Sequence, residues 1–191
     1  MSRTDRSGVN RIPFDAYYTP DALAKACVGT LTRVPAVVVE PSVGGGAFAR
    51  AVRSRWPLAH IIGCDVNPKA TGVSDCDVFH WGDWVNIPVP PADLIIGNPP
   101  YSDAEAHIES ALSRVKNGGT VAMLLRISFA SGKGRIPFWK KYADDLYSVR
   151  VLAERPSFTG GATDACDYGW FVWRVGAANT PIFHPGWSWR K

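Results

Sequence analysis

Nowhere does the 191-residue chain approach the run of about 18 apolar residues that a membrane-spanning helix needs. Its four cysteines, Cys27, Cys64, Cys76 and Cys166, are scattered and form no CxxC pair. That pattern argues against a zinc site or a disulfide framework and for a reducing cytoplasm. His60, His80, His107 and His184 fall at no ligand spacing, so no metal is expected. No apolar stretch follows the charges of residues 1–8, so the N-terminus does not read as a signal peptide. Internal repeats and low-complexity tracts are also lacking. Acids are missing from residues 126–141, which hold Arg126, Lys133, Arg135, Lys140 and Lys141.

What is present suits one globular domain: 46% apolar residues and a net charge of +4. The mild basic excess fits a polyanionic partner without requiring one. Residues 1–13 are polar and read as a flexible N-terminal arm. Thr19-Pro20 reads as a helix start, a capping hydroxyl followed by proline at the first helical position. Leu23, Ala26, Cys27 and Leu31 then recur at helical spacing.

Val37-Val38-Val39-Glu40 is a β-branched run that opens into Pro41-Ser42-Val43-Gly44-Gly45-Gly46, followed by Phe48, Val52 and Trp56 at helical spacing. Strand, glycine turn and helix form the first unit of a doubly wound sheet, and the glycines let a ligand approach the backbone. Ile61-Ile62-Gly63-Cys64 is a second strand ending at Asp65, about where nucleotide-binding sheets put an acid for ribose hydroxyls. On position alone Asp65 serves equally as a helix cap. A third short strand runs from Val78 to an acid beside an aromatic, Asp83-Trp84, which together can hold an adenine by its amino group and its face.

Asp93-Leu94-Ile95-Ile96-Gly97-Asn98-Pro99-Pro100-Tyr101 is a buried strand that must end at its prolines, presenting a carboxamide and an aromatic ring. Glu40, Asp65, Asp83 and Asn98 thus all fall on the carboxyl edge of one parallel sheet, where ligands bind in such folds. Ser102-Asp103-Ala104-Glu105 reads as a capping box for a helix through Val115, stopping at Asn117-Gly118-Gly119. Thr120 to Leu125 is a fifth strand. Residues 126–141 form a basic loop, helical around Phe138 to Tyr142. Val149-Arg150-Val151-Leu152 and Gly169 to Val175 are joined without room for a helix, so they form an antiparallel hairpin at the sheet edge. The expectation is an α/β fold: a mostly parallel seven-stranded sheet, an antiparallel C-terminal hairpin, helices on both faces, and a Trp-rich tail at 176–191.

In order and spacing, Tyr17-Tyr18-Thr19-Pro20, Glu40-Pro41-Ser42-Val43-Gly44-Gly45-Gly46, Gly63-Cys64-Asp65, Gly82-Asp83-Trp84 and Asn98-Pro99-Pro100-Tyr101 resemble class I S-adenosylmethionine-dependent methyltransferases. The similarity is to the group that methylates adenine amino groups in DNA, and it covers residues 14–175, a single catalytic domain. It implies S-adenosylmethionine as cofactor. Glu40 and the backbone of Ser42, Gly44 and Gly46 would line its methionine part, Tyr18, Thr19 and Pro20 would close over it, and Asp65 would take the ribose. Asp83 would accept from the adenine amino group while Trp84 packs on the ring. Asn98 and the Pro99 carbonyl would grip the target amino group, with Pro100 stiffening the turn and Tyr101 stacking on an extruded base. Lys133 and Arg135 are candidate phosphate contacts. Phe158 sits where a second wall for the base would stand, and equally suits a core anchor.

Related DNA enzymes carry a further target-recognition domain, whereas about sixteen residues follow the last expected strand here. The resemblance therefore implies a minimal, low-specificity enzyme similar to phage-encoded ones, or recognition supplied by the 126–141 loop, both tails, a homodimer or a partner subunit. DNA is favoured over RNA. A protein glutamine target and a non-catalytic nucleic-acid-binding module are the remaining readings.

Overall fold

The computed structural model describes residues 18–158, 165–177 and 179–190. The expected arm, Tyr17 and part of the loop after Phe158 lie outside them. The chain runs α1 (Asp21–Gly29), β1 (Val37–Glu40), α2 (Ala47–Arg55), β2 (His60–Asp65), β3 (Val78–Trp81), β4 (Ala92–Gly97), α3 (Ala104–Arg114), β5 (Val115–Arg126), α4 (Ile136–Tyr142), β6 (Leu146–Leu152), β7 (Tyr168–Arg174) and β8 (Ile182–Trp187). The strands form one sheet in the order β3-β2-β1-β4-β5-β7-β6-β8. β7 alone runs against the rest, pairing antiparallel with both β5 and β6.

Residue alternation sorts the core into two layers. Tyr168, Trp170 and Val172 of β7 face one layer with α1 and α2, while Phe171 and Trp173 face the other with α3 and α4. β5 does the same, Ala122 and Leu124 against Val121, Met123 and Leu125. Both faces are covered, which is why the strands read as continuous apolar runs. After β3 the chain returns to the far side of β1, so the order of strands reverses between β1 and β4. Such a switch point leaves a crevice at the carboxyl ends of the two strands. Glu40 and Asn98 are the residues that stand there.

The sheet departs from the expected seven strands: the tail contributes an eighth. Pro185 lies within this strand, which an edge position tolerates because one row of its backbone groups needs no partner. β8 pairs parallel with β6, setting Trp187 opposite Leu152, so the β6–β7 pair lies inside the sheet rather than at its edge. Two expected caps also differ. Pro20, not Thr19, is the N-cap of α1, and no side chain caps it. α3 starts from Asp103 without a side-chain cap, and Glu105 instead accepts from Arg135 at 3.0 Å. β5 begins at Val115 and runs through Asn117-Gly118-Gly119, with an irregular register against β4. Among the described residues no helix is long and apolar enough to cross a membrane.

Asp93 ties three central strands at their amino ends. One carboxylate oxygen accepts from the main-chain N–H of Ala36 at 3.1 Å and Val37 at 2.8 Å, and the other accepts from Lys116 at 2.7 Å. Partial burial alone would raise its pKa, but Lys116 and these N–H groups hold it below the usual range. The stabilisation is therefore present above the ordinary carboxylate range and is lost as pH falls through the lowered value. Asp93→Ala is expected to destabilise the fold by about 1–2 kcal/mol in chemical denaturation at pH 7, with the difference shrinking in acid.

Candidate active site

At the carboxyl edge of the sheet a cleft of about 570 Å³ runs from the glycine turn past the ends of β2 and β3 to Asn98. A second cavity, at the opposite edge around Arg33 and Lys116, is smaller, about 210 Å³. The larger one gathers most of the expected residues: Tyr18, Ser42 and Gly44 on one side, Asp65, Asp83 and Trp84 at the end, and Asn98 with Pro100 opposite. Thr19 and Glu40 line a narrow recess between Tyr18, Phe48 and Asn98.

The turn after β1 owes its shape to backbone contacts. Gly46 takes a left-handed φ of +79° as the N-cap of α2. Its backbone lies so close to Gly72 that a Cβ on Gly72 would come within 2.4 Å of it. Asp65 fixes the turn to β2 by accepting from Gly44 N–H at 2.7 Å, while its other oxygen accepts from Asn67 N–H at 2.7 Å. The Tyr18 ring lies over Gly44 and Gly45, within 3.5 Å of where their Cβ atoms would be.

Glu40 is 2% exposed. The main-chain N–H of Ala49 donates to its carboxyl, yet its Oε2 has no partner among the described residues. Burial, reinforced by the nearby carboxylates of Asp65 and Asp75, pushes its pKa well above the usual range. A buried acceptor without a donor is costly unless a ligand satisfies it. The recess it faces would suit a cationic group.

Asn98 follows β4 on the neighbouring strand. Its Nδ2 donates to the Thr19 hydroxyl at 3.2 Å, which fixes how the carboxamide is turned. Thr19, freed from capping α1, acts here instead. Tyr101 is half-buried, and its hydroxyl hydrogen-bonds with Asn98 and Tyr168. Its ring packs against Tyr168 at 5.5 Å, and the Arg126 guanidinium lies over it at 4.8 Å. Burial and the neighbouring Tyr168 raise the Tyr101 pKa well above its ordinary value, so the phenol stays protonated.

Asp83 is exposed and accepts from Val85 N–H and from the Asn86 carboxamide, each at 3.1 Å. Trp84 is buried, its indole N–H donating to the His107 carbonyl at 3.4 Å and Arg114 lying 4.6 Å from its ring. His107, read from the sequence only as a non-ligand, also lines the cleft. Its Nδ1 is 3.2 Å from the Asp103 carbonyl, which can only accept, so Nδ1 carries the proton. Burial holds its pKa below the ordinary value. The neutral ring then offers Nε2 as an acceptor near Asp83.

The remaining expected residues stand outside the cleft. Pro20 caps α1 and Pro99 is buried in the turn. Arg135 pairs with Glu105 and lies over Phe129 at 4.3 Å. Lys133 is exposed. Phe158 is a core side chain, edge-on to Tyr168 at 5.1 Å. Phe158, Tyr168, Tyr101 and Arg126 form a continuous chain of ring contacts.

No family model and no curated protein matches the chain. Solved structures do. A Listeria monocytogenes protein described as a class I S-adenosylmethionine-dependent methyltransferase superposes with a TM-score of 0.71 at 14% identity, covering 97% of this chain and 70% of that one. The methyltransferase subunit of a type I restriction-modification system from Streptococcus thermophilus gives a TM-score of 0.72 at 16% identity, covering 89% of this chain. This chain spans only 47% of that subunit. An rRNA methylase from Streptococcus thermophilus gives 0.52 at 14% identity, covering 80% of this chain and 93% of its own length. The chain has the fold of the class I S-adenosylmethionine-dependent methyltransferases.

Proposed function

We propose that the protein is an S-adenosylmethionine-dependent methyltransferase acting on the exocyclic amino group of adenine in DNA. The observation that carries the reading is the pairing at the switch point: a buried, unsatisfied Glu40 on one strand end and an oriented Asn98 on the next. The donor set fits this cofactor. Glu40 would satisfy an ammonium group, Tyr18 and Thr19 would cover that end, and Asp65 keeps lone pairs for ribose hydroxyls. Asp83 and the neutral His107 offer acceptors to an adenine amino group beside Trp84. When bound, the cofactor supplies an electrophilic methyl group on a sulfonium.

The target nitrogen is a poor nucleophile because its lone pair is delocalised into the ring. Asn98 Oδ1 and the Pro99 carbonyl would accept its two hydrogens, favouring a pyramidal nitrogen with a localised lone pair. Asn98 is no base at neutral pH, so its role is electrostatic positioning. Thr19 accepts from the carboxamide nitrogen and so sets the direction in which the side chain is presented. Tyr101 would stack on the extruded base, and Arg126, now over that ring, would shift toward a phosphate as the base enters.

DNA is favoured by the likeness to a restriction-modification methyltransferase subunit and by the acid-free stretch at 126–141. RNA is the second reading, favoured by the likeness to an rRNA methylase. If the chain works with other copies or subunits, they would supply sequence recognition.

Purified protein with labelled cofactor is expected to label DNA. Asn98→Ala should lower transfer by at least 10²-fold while cofactor affinity changes little. Labelling of RNA or protein but not DNA would overturn the DNA assignment. Glu40 gives a second test. Its raised pKa means the folded protein binds that proton more tightly than the unfolded chain. Stability conferred by the protonated form is thus full below the ordinary carboxylate range and declines as pH rises through the raised value. An ammonium arriving beside Glu40 would favour the carboxylate and expel the proton. Calorimetry in buffers of different ionisation enthalpy should show proton release on cofactor binding, absent in Glu40→Gln, which should also flatten the pH dependence of stability.

A further inference from the structure

α4 is clamped to the sheet by aromatic side chains. Phe138 is buried edge-on to Phe129 at 5.3 Å, and Trp139 stacks on Trp173 at 6.4 Å. Just before the helix, Arg135 is held by Glu105 and the Phe129 ring. The segment is therefore a fixed platform. Ile136, Trp139 and Lys140 are three and four residues apart, so they share one face of it. Together with Lys133 they line a shallow, open trough.

A lone exposed Ile is ordinary. Here the half-exposed Ile136 lies beside a part-buried Trp139, and the exposed Lys133 and Lys140 line the same trough. No acid occurs from residue 126 to 142. Apart from the lysines, no charged side chain among the described residues lines the floor, and the Trp139 indole nitrogen is itself buried. Such a surface takes any flat apolar ring and reads no hydrogen-bond pattern. The segment that carries the trough is tied by one ion pair to a helix whose start lines the cleft. Glu105, to which Arg135 is tied, sits in the first turn of α3, and the N-cap of that helix, Asp103, lines the cleft.

We propose that this trough seats one unstacked base of the nucleic-acid strand adjacent to the target nucleotide, with flanking phosphates on Lys133 and Lys140. The proposal rests on the reading of the protein as a nucleic-acid enzyme. Base faces are closed off within a duplex, so the occupant is a locally single strand. Stacking on an aromatic and aliphatic floor holds any base, and the two ammonium groups track the backbone. Arg135, committed to Glu105, fixes the platform, and Lys140 takes the contact role alongside Lys133.

The test measures binding without any methyl donor, by fluorescence anisotropy of a labelled single-stranded oligonucleotide, its duplex and inorganic polyphosphate. The wild-type protein should bind the single strand more tightly than the duplex. Lys133→Ala with Lys140→Ala should weaken single-strand binding about tenfold and reduce the log–log salt slope by about 1.4. Ile136→Ser, at an exposed position, should weaken single-strand binding roughly fivefold and leave polyphosphate binding unchanged. A silent Ile136→Ser with equal lysine effects on both polyanions would leave only an anion patch and overturn the base seat. Unchanged affinity in every variant would overturn the proposal entirely. A concentration-dependent dimer in sedimentation that Ile136→Ser dissolves would assign the trough to a second copy of the chain, which also overturns it. Failure of methyl transfer with this binding pattern intact would count against the methylation reading alone, and an active enzyme lacking the pattern would count against the trough alone.

Discussion

The two oxygens of Asp65 each accept a main-chain N–H, from Gly44 and from Asn67, and this clamp holds the glycine turn against the end of β2. The rest of the cleft is built on it. Gly46 and Gly72 touch backbone to backbone, which sets α2 against the turn at 72–75. Arg50 of α2 then bridges Asp21 of α1 and Asp75, at 2.6 and 2.7 Å. With the turn fixed, the Tyr18 ring has a flat surface to lie on, and Glu40 is sealed beneath it. A carboxylate read from the sequence as a ligand for ribose is thus first an architectural group, and only its remaining lone pairs face the cleft.

The core of this arrangement was legible in the sequence because the relevant signals are local. β-branched runs mark the central strands, and the proline pair after Gly97 marks where β4 must stop. Glu40, Asp65, Asp83 and Asn98 could be assigned to one edge because parallel strands share a direction. The signals that failed were those decided at a distance. Thr19 looked like a helix cap but hydrogen-bonds to Asn98, 79 residues away. Glu105 looked like half of a capping box but serves Arg135. β8 was read only as a Trp-rich tail, because its pairing with β6 exists only once the sheet has formed.

The same limit applies within the site. His107 carried no spacing signal, and its neutral, acceptor-bearing state follows from burial and a main-chain carbonyl that no sequence pattern reveals. Gly72 gave no hint of its contact with Gly46. Arg126 was read as one basic residue among five, yet its guanidinium lies over Tyr101, the ring on which a target base would stack. Under the proposed function, admission of a base would exchange a cation–π contact of order 0.5–1 kcal/mol for aromatic stacking of about 1–3 kcal/mol. Lys133 and Lys140, outside the cleft, would hold the strand during that exchange.

The central claim concerns one nitrogen atom, so the most direct measurement identifies the atom that receives the methyl group. DNA incubated with the protein and S-adenosylmethionine, digested to nucleosides and resolved by mass spectrometry, should yield deoxyadenosine methylated on its exocyclic nitrogen. Methyl groups found on cytosine carbon, on a hydroxyl oxygen, or on no DNA nucleoside at all would contradict the account.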